Sequence, residues 1–155
     1  MKIENCTEED LPEIISLINQ EFPYVSISIE KIRKKIADGK ISLFKAVEGK
    51  RLLGFIEAEF LEEGIARING VTVKPGERNQ GIATALVEHT LEFLKKRQVK
   101  RIILLVKQGN EEAKSIYRQK GFKFIGLYHR EIDQAVVEEM ELDLSGEEEK
   151  PSYVS

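Results

Sequence analysis

The residues best suited to chemistry lie in one stretch, 68–84, which reads Ile-Asn-Gly-Val-Thr-Val-Lys-Pro-Gly-Glu-Arg-Asn-Gln-Gly-Ile-Ala-Thr. A β-branched apolar run ends at Val73, Pro75 and Gly76 break it, and an amphipathic pattern then continues to Arg97. So a strand stops, a loop turns, and a helix begins. The first N–H groups of such a helix have no partner within it, and its dipole favours an anion there. Arg78 adds a positive charge, and Gly81 lets a ligand approach the backbone with no Cβ in the way. The chemistry on offer is phosphate binding. The loop has one glycine where the dinucleotide fingerprint needs several, and Ile82 follows Gly81 where a P-loop has lysine. An ordinary turn with a helix-capping glycine fits the same six residues, so the rest of the chain has to decide.

At 155 residues, 41% hydrophobic and 33% charged, the chain suits one soluble domain with a full core. No apolar run approaches the ~20 residues that span a bilayer, and the start, Met-Lys-Ile-Glu-Asn-Cys, has no apolar signal region. A cytoplasmic location is expected, which suits a single Cys6 that can form no internal disulfide. Cys6 reads as a small residue on the first strand rather than a nucleophile. The net charge is −3 with the basic residues spread out, so neither nucleic acid nor a membrane is expected as a partner. No metal site is expected.

The elements that must position the loop are read from periodicity. Residues 2–6 read as a strand. Thr7 or Asp10 can cap a helix whose apolar face is Leu11, Ile14, Ile15 and Ile18, with Pro12 in its first turn and Pro23 closing it. Ser28 can cap a second helix with Ile29, Ile32 and Ile36 inward and Gly39 as its stop. Its outer residues Lys31, Arg33, Lys34 and Lys35 read as a solvated surface. Residues 41–48 and 52–62 form a hairpin through Gly49-Lys50-Arg51, with Ile56, Ala58 and Phe60 on one face and Phe55, Glu57 and Glu59 on the other. Gly64 turns the chain into a third strand, 65–73. The helix after the loop puts Ile82, Ala83, Leu86, Val87, Leu91, Phe93 and Leu94 inward, and His89 on its surface. Residues 101–107 lack alternation, which suits a central strand covered on both faces and a parallel crossover from 65–73. Asn110 caps a further helix that Gly121 ends. Residues 122–129 and 135–144 form a last hairpin, and 145–155 an acidic, loose tail.

The order is β-α-α-β-β-β-α-β-α-β-β. Two motifs sit in it. Arg78-x-x-Gly81-x-Ala83 resembles the pyrophosphate loop of the GNAT superfamily, the Gcn5-related N-acetyltransferases, and Asn110-x-x-Ala113-x-x-x-Tyr117-x-x-x-Gly121-Phe122 is similar to a second pattern of that family at every defined position. The resemblance covers residues 1–144. It implies an α/β fold of α+β type, with a mixed, mostly antiparallel sheet of about seven strands, a central parallel β-α-β unit and helices on both faces.

It also implies a reaction: an acetyl group moves from acetyl-CoA to a primary amine by direct transfer in a ternary complex. The amine would sit on a small metabolite or a peptide. The backbone of Asn79, Gln80, Gly81, Ile82, Ala83 and Thr84 would hold the diphosphate, with Arg78 adding charge. The pantetheine arm would lie along an edge at Val71, Thr72 and Val73, where two parallel strands splay apart, and Asn110 and Ala113 would touch the cofactor arm. A main-chain N–H near Val73 would face the thioester oxygen. Tyr117 matches the tyrosine assigned as general acid to the leaving thiolate. Taken alone, Asn110 is explained as a cap, Tyr117 as a core residue and Gly121 as a stop. Relatives that acetylate ribosomal-protein N-termini carry a glutamate five residues before the motif asparagine, and here that position is Leu105. Glu57, Glu59 and Asn69 are the nearest alternatives for handling the amine's proton. A protein N-terminal or lysine acetyltransferase, and a non-catalytic acyl-CoA sensor of the same fold, stay open. A homodimer is compatible with the resemblance.

Overall fold

The computed structural model describes residues 1–23 and 27–148, the side chains of residues 147 and 148 excepted. Its strands are β1 (Lys2–Asn5), β2 (Ile41–Glu48), β3 (Arg51–Glu62), β4 (Ile65–Val73), β5 (Arg101–Lys107), β6 (Lys123–Leu127) and β7 (Val137–Asp143). The helices are α1 (Leu11–Glu21), α2 (Ile29–Ala37), α3 (Ile82–Lys96), α4 (Glu111–Gln119) and a terminal turn α5 (Ser145–Glu148). The expected order is observed. So is the mixed sheet: the strands lie as β1-β2-β3-β4-β5-β7-β6, and β4–β5 is the parallel pair.

The two faces of the sheet carry separate apolar clusters. Ile82, Leu86, Val87, Leu91 and Leu94 of α3 pack on Ile56, Ala58, Ala66, Ile68, Ile102 and Leu104. Leu11, Ile14, Leu17 and Ile18 of α1 and Ile32 of α2 pack on Ile41, Leu43, Leu52 and Phe55. Alternation along β3 produces this division: Ile56 and Ala58 point to α3, while Phe55, Glu57 and Glu59 point to α1 and α2.

Two irregularities open the sheet near its centre. Glu57 pairs with Gly70 and Ala58 with Ile68, so Asn69 is an extra residue in β4, a β-bulge. The β4–β5 ladder runs only from Ile65↔Arg101 to Ile68↔Leu104. Beyond it the strands splay, and β4 continues to Val73 without its parallel neighbour, as the family resemblance implied.

Several local expectations need correction. Thr7 caps a short 3-10 turn, Glu8–Asp10, ahead of α1. Asp10 flanks α1 but makes no side-chain cap, because its carboxylate accepts from the Thr7 N–H at 2.7 Å and the Lys45 Nζ at 2.7 Å. Leu17 is fully buried in α1, whereas Ile15 is half-buried. Ile36, in the last turn of α2 before it stops at Ala37, is 42% exposed rather than inward. In β5, Ile102, Leu104 and Val106 are buried while Ile103 and Leu105 are half-buried, so only one face is fully covered. The last hairpin is shorter than expected: β6 ends at Leu127 and β7 begins only at Val137, after an Ile132↔Ala135 bridge with Asp133 and Gln134 at positive φ. Ser145–Glu148 forms a helical turn where a loose tail was expected, and 149–155 lie outside the described residues. His89 is exposed as expected, its ring edge-on to Phe44 at 4.7 Å.

Gly54 lets β3 and β4 approach closely at the splay. A Cβ there would stand 2.5 Å from the Thr72 carbonyl oxygen and 3.1 Å from the Val73 Cα. Both are backbone atoms, so neither can turn aside. Gly54→Ala should destabilise the chain by about 1–3 kcal/mol, read as a lower denaturant midpoint at constant slope. An unchanged midpoint would contradict this packing.

Candidate active site

The loop after β4 is built to leave N–H groups free. Asn79 and Gly81 both take left-handed conformations, at φ 65° and 76°. Gly81 is the N-cap of α3 and has no side chain with which to cap it. The first turn of α3 contains no acidic residue. By contrast, α4 neutralises its own start: the Asn110 side chain accepts from the Ala113 N–H at 3.2 Å, and Glu111 and Glu112 follow. Of the two, the α3 end keeps its partial positive charge for a ligand. A Cβ at Gly81 would meet nothing within 4 Å, so it would project into the space in front of the loop.

That space is a cavity of about 770 Å³. Val71, Thr72 and Val73 line it from β4. Arg78, Asn79, Gly81, Ile82, Ala83 and Thr84 line it from the loop and the α3 turn, and Asn110, Ala113 and Tyr117 from α4. The structure therefore brings these expected site residues together. Gln80 is exposed and lies outside the lining. Arg78 is already engaged: its Nε donates to the Val73 carbonyl at 3.1 Å, and its guanidinium pairs with Glu21 of α1 at 2.9 Å.

A second cavity, of about 590 Å³, opens on the α1/α2 side of the sheet. Glu57, Glu59 and Asn69 line it together with Lys35, Arg67 and Leu105. The polar groups form a chain. Arg67 Nε donates to the Asn69 Oδ1 at 2.7 Å. Asn69 Nδ2 then donates to Glu57 and, at 2.8 Å, to Glu59. Arg67 and Lys35 reach Glu59 at 3.4 and 3.9 Å. Glu57 is buried, at 9% exposure, and among the described residues no cation pairs with it. Leu105 supplies no proton-accepting group to this wall.

The two cavities share Val71, Thr72, Asn110, Ala113 and Tyr117, with Glu21 and Phe22. Tyr117 stands at this junction, its ring 5.8 Å from that of Phe122. Its helix is tied down twice. Lys114 Nζ, buried, lies 3.0 Å from Glu138 of β7 and 2.9 Å from Glu111, and Lys120 bonds Glu88 of α3 at 2.7 Å. The Tyr117 hydroxyl makes no hydrogen bond among the described residues, and burial pushes its pKa up to about 12. It stays protonated at neutral pH and is a donor. Cys6 is not a nucleophile: burial, with Asp10 beside it, pushes its thiol up to about 12.

Sequence reasoning missed three contributors. Lys35 looked like part of a solvated face, Lys114 sits on a highly charged helix, and Glu21 ends a helix two residues before Pro23 with no distinguishing spacing. Nothing local marks any of them. The bulge at Asn69 had one signal, the Asn-Gly pair inside a strand.

A model of the Acetyltransferase (GNAT) family matches residues 11–122. The chain belongs to the GNAT acetyltransferase family. Among curated proteins it is 37% identical over 60 residues to the streptothricin acetyltransferase of Streptomyces lavendulae; the match covers 39% of this chain and 32% of that protein. Among solved structures it resembles the ribosomal-protein-alanine N-acetyltransferase of Brucella melitensis, with TM-score 0.81 and 18% identity over 93% of this chain and 100% of that one. It also resembles the spermidine N-acetyltransferase of Vibrio cholerae, in complex with CoA and spermine, with TM-score 0.79 and 20% identity over 93% of this chain and 95% of that one. At these identities the structures share the GNAT fold. No helix among the described residues is long and apolar enough to cross a membrane.

Burial of Tyr117 has a consequence at high pH. An unfolded tyrosine ionises near its ordinary value of 10.0, before the folded one at about 12. Folding stability contributed by this group is complete below pH 10 and is lost as pH rises through 12. Cys6 adds loss of the same sign from pH 9 upward. Denaturant midpoints should fall from pH 10 to 12 in the wild type and fall less steeply in Tyr117→Phe. Equal slopes would contradict the burial of this hydroxyl.

Proposed function

We propose that this chain transfers the acetyl group of acetyl-CoA to a primary amine on a small metabolite or peptide, directly, in a ternary complex. The observation that carries this is the meeting of two unlike cavities at Thr72, Asn110 and Tyr117. One faces an uncapped helix N-terminus that suits a diphosphate. The other contains a buried carboxylate that no cation among the described residues balances, which suits an amine.

Each step falls to residues at this junction. The backbone of 79–84 and the dipole of α3 hold the diphosphate. Arg78 joins them by rotating away from Glu21. Beyond the Ile68↔Leu104 pair, the free edge of β4 at Val71, Thr72 and Val73 takes the pantetheine arm as an added strand, beside Asn110 and Ala113. A Val73 N–H faces the thioester oxygen. Glu57, oriented by Asn69, accepts the proton that leaves the nitrogen as the C–N bond forms and the C–S bond breaks.

Tyr117 donates a hydrogen bond to the departing sulfur. With its pKa near 12 against about 8.5 for an ordinary thiol, full proton transfer to a thiolate is uphill. Its contribution is therefore at the low end for a general acid. Tyr117→Phe should lower kcat by about 10²-fold, with acetyl-CoA affinity nearly unchanged. Wild-type kcat would remove its catalytic role. The orientation of Glu57 by Asn69, and an unpaired donor at Tyr117, favour turnover over a sensor.

Gly81→Asp puts a carboxylate and a Cβ in front of the loop. The left-handed backbone makes any side chain cost roughly 1–2 kcal/mol, which a chain of this size should survive. Acetyl-CoA affinity should fall at least about tenfold in titration calorimetry. Unchanged binding by the folded variant would remove the cradle assignment. Glu57→Gln keeps the side chain's shape and its contact with Asn69 but cannot take a proton. Acceptor-dependent thiol release should drop by about 10²–10⁴-fold, and a drop of less than twofold would exclude Glu57 as the base.

A further inference from the structure

The Thr72 hydroxyl oxygen has almost no exposed surface and no hydrogen-bond partner among the described residues. Thr72 is only 4% exposed, yet it lines both cavities. An unmade buried hydrogen bond costs stability, so its presence asks for a reason. The strand has valine on either side, at Val71 and Val73, and valine at 72 would fill nearly the same volume without the hydroxyl.

Register fixes the face on which the Thr72 side chain lies. Thr72 pairs with Phe55, whose ring belongs to the cluster under α1 and α2. Cross-strand partners share a face, so Thr72 lies on the acceptor side with Glu57. Glu57 pairs with Gly70, two residues before Thr72, which makes Glu57 and Thr72 diagonal neighbours about 7–8 Å apart at Cα. A tetrahedral nitrogen that donates at about 2.9 Å to each of two acceptors holds them about 4.7 Å apart, within reach of two side chains on these positions. Between them Gly70 leaves space: a Cβ there would meet nothing within 4 Å, and its backbone is not at positive φ.

We propose that Thr72 and Glu57 hold the acceptor nitrogen between them over Gly70, the Thr72 oxygen accepting one N–H while Glu57 takes the other proton. This assignment rests on the amine acetylation proposed above and names the seat of the amine within it. It makes Thr72 a substrate-contacting residue through its side chain, separate from the backbone edge offered to the pantetheine arm.

The test uses Thr72→Val, Thr72→Ser and Gly70→Ala, with spermidine and an alanyl peptide as acceptors. Thr72→Val removes an unsatisfied hydroxyl, and Gly70→Ala adds a methyl into open space and restricts the unfolded chain. Both should melt at or above the wild-type temperature and bind acetyl-CoA within about twofold of it, because both keep the backbone of 71–73 and 79–84 that the donor uses. For the better acceptor both should lose about 10–100-fold in kcat/KM, the scale of a misplaced reactant. Thr72→Ser keeps the hydroxyl and should stay within about threefold. Wild-type kcat/KM in Thr72→Val would overturn the assignment. So would a lowered melting temperature with loosened acetyl-CoA binding, which would give the hydroxyl to the fold or the donor. If the wild type shows no acceptor-dependent thiol release, the proposed reaction fails by itself. The seat is then judged by calorimetry of both amines on CoA-loaded wild type and Gly70→Ala, and equal affinities overturn it.

Discussion

β4 and β5 run parallel but share a ladder of only four residue pairs, ending at Ile68↔Leu104. The rest of the working surface depends on that short pairing. Had the ladder continued, the edge at Val71, Thr72 and Val73 would be consumed by β5, and the two cavities would be separated by sheet. The Asn69 bulge ends it by adding a residue to one strand and turning β4 away. A sheet with unpaired backbone groups in its middle is normally a liability. Here the free edge lies between the uncapped end of α3 and the α4 helix bearing Tyr117, where a ligand able to complete the ladder would be held.

Two unbalanced charges complement this geometry. The N-terminus of α3 has no cap and no acid in its first turn, while buried Glu57 has the Asn69 amide and, among the described residues, no cation. Elsewhere the chain balances its enclosed charges closely: buried Lys114 has Glu138 and Glu111, and half-buried Lys45 has Asp10 and Glu4. Leaving a polar group unsatisfied costs free energy, so exceptions gathered around one junction point to a bound partner rather than to the fold. The Thr72 hydroxyl, unpartnered at the same junction, belongs with them.

Much of this was legible in the sequence because it is local. Strand and helix periods, Gly81 and Asn110 as opposite kinds of helix start, and the alternation that sends Glu57 and Ile56 to different faces need only neighbouring residues. The two GNAT motifs are local as well. What was not legible depends on long-range placement. The Arg78–Glu21 pair joins residues 57 apart, and Lys35 becomes part of the second cavity's wall only because α2 crosses near Glu59. Asp10 failed as a helix cap because Lys45 and the Thr7 N–H compete for its carboxylate. Ile36 followed the helical period but, in the last turn of α2, is left exposed. Periodicity reports which face a residue shares, and tertiary contact decides whether anything covers that face.

The central claim is that the free β4 edge and the loop before α3 together receive acetyl-CoA. Hydrogen exchange of the wild-type protein with and without acetyl-CoA tests it most directly. Amides of residues 71–73 and 81–84 should exchange markedly more slowly on addition, while those of the β2–β3 hairpin stay unchanged. Binding that leaves both segments at their original exchange rates would contradict the account.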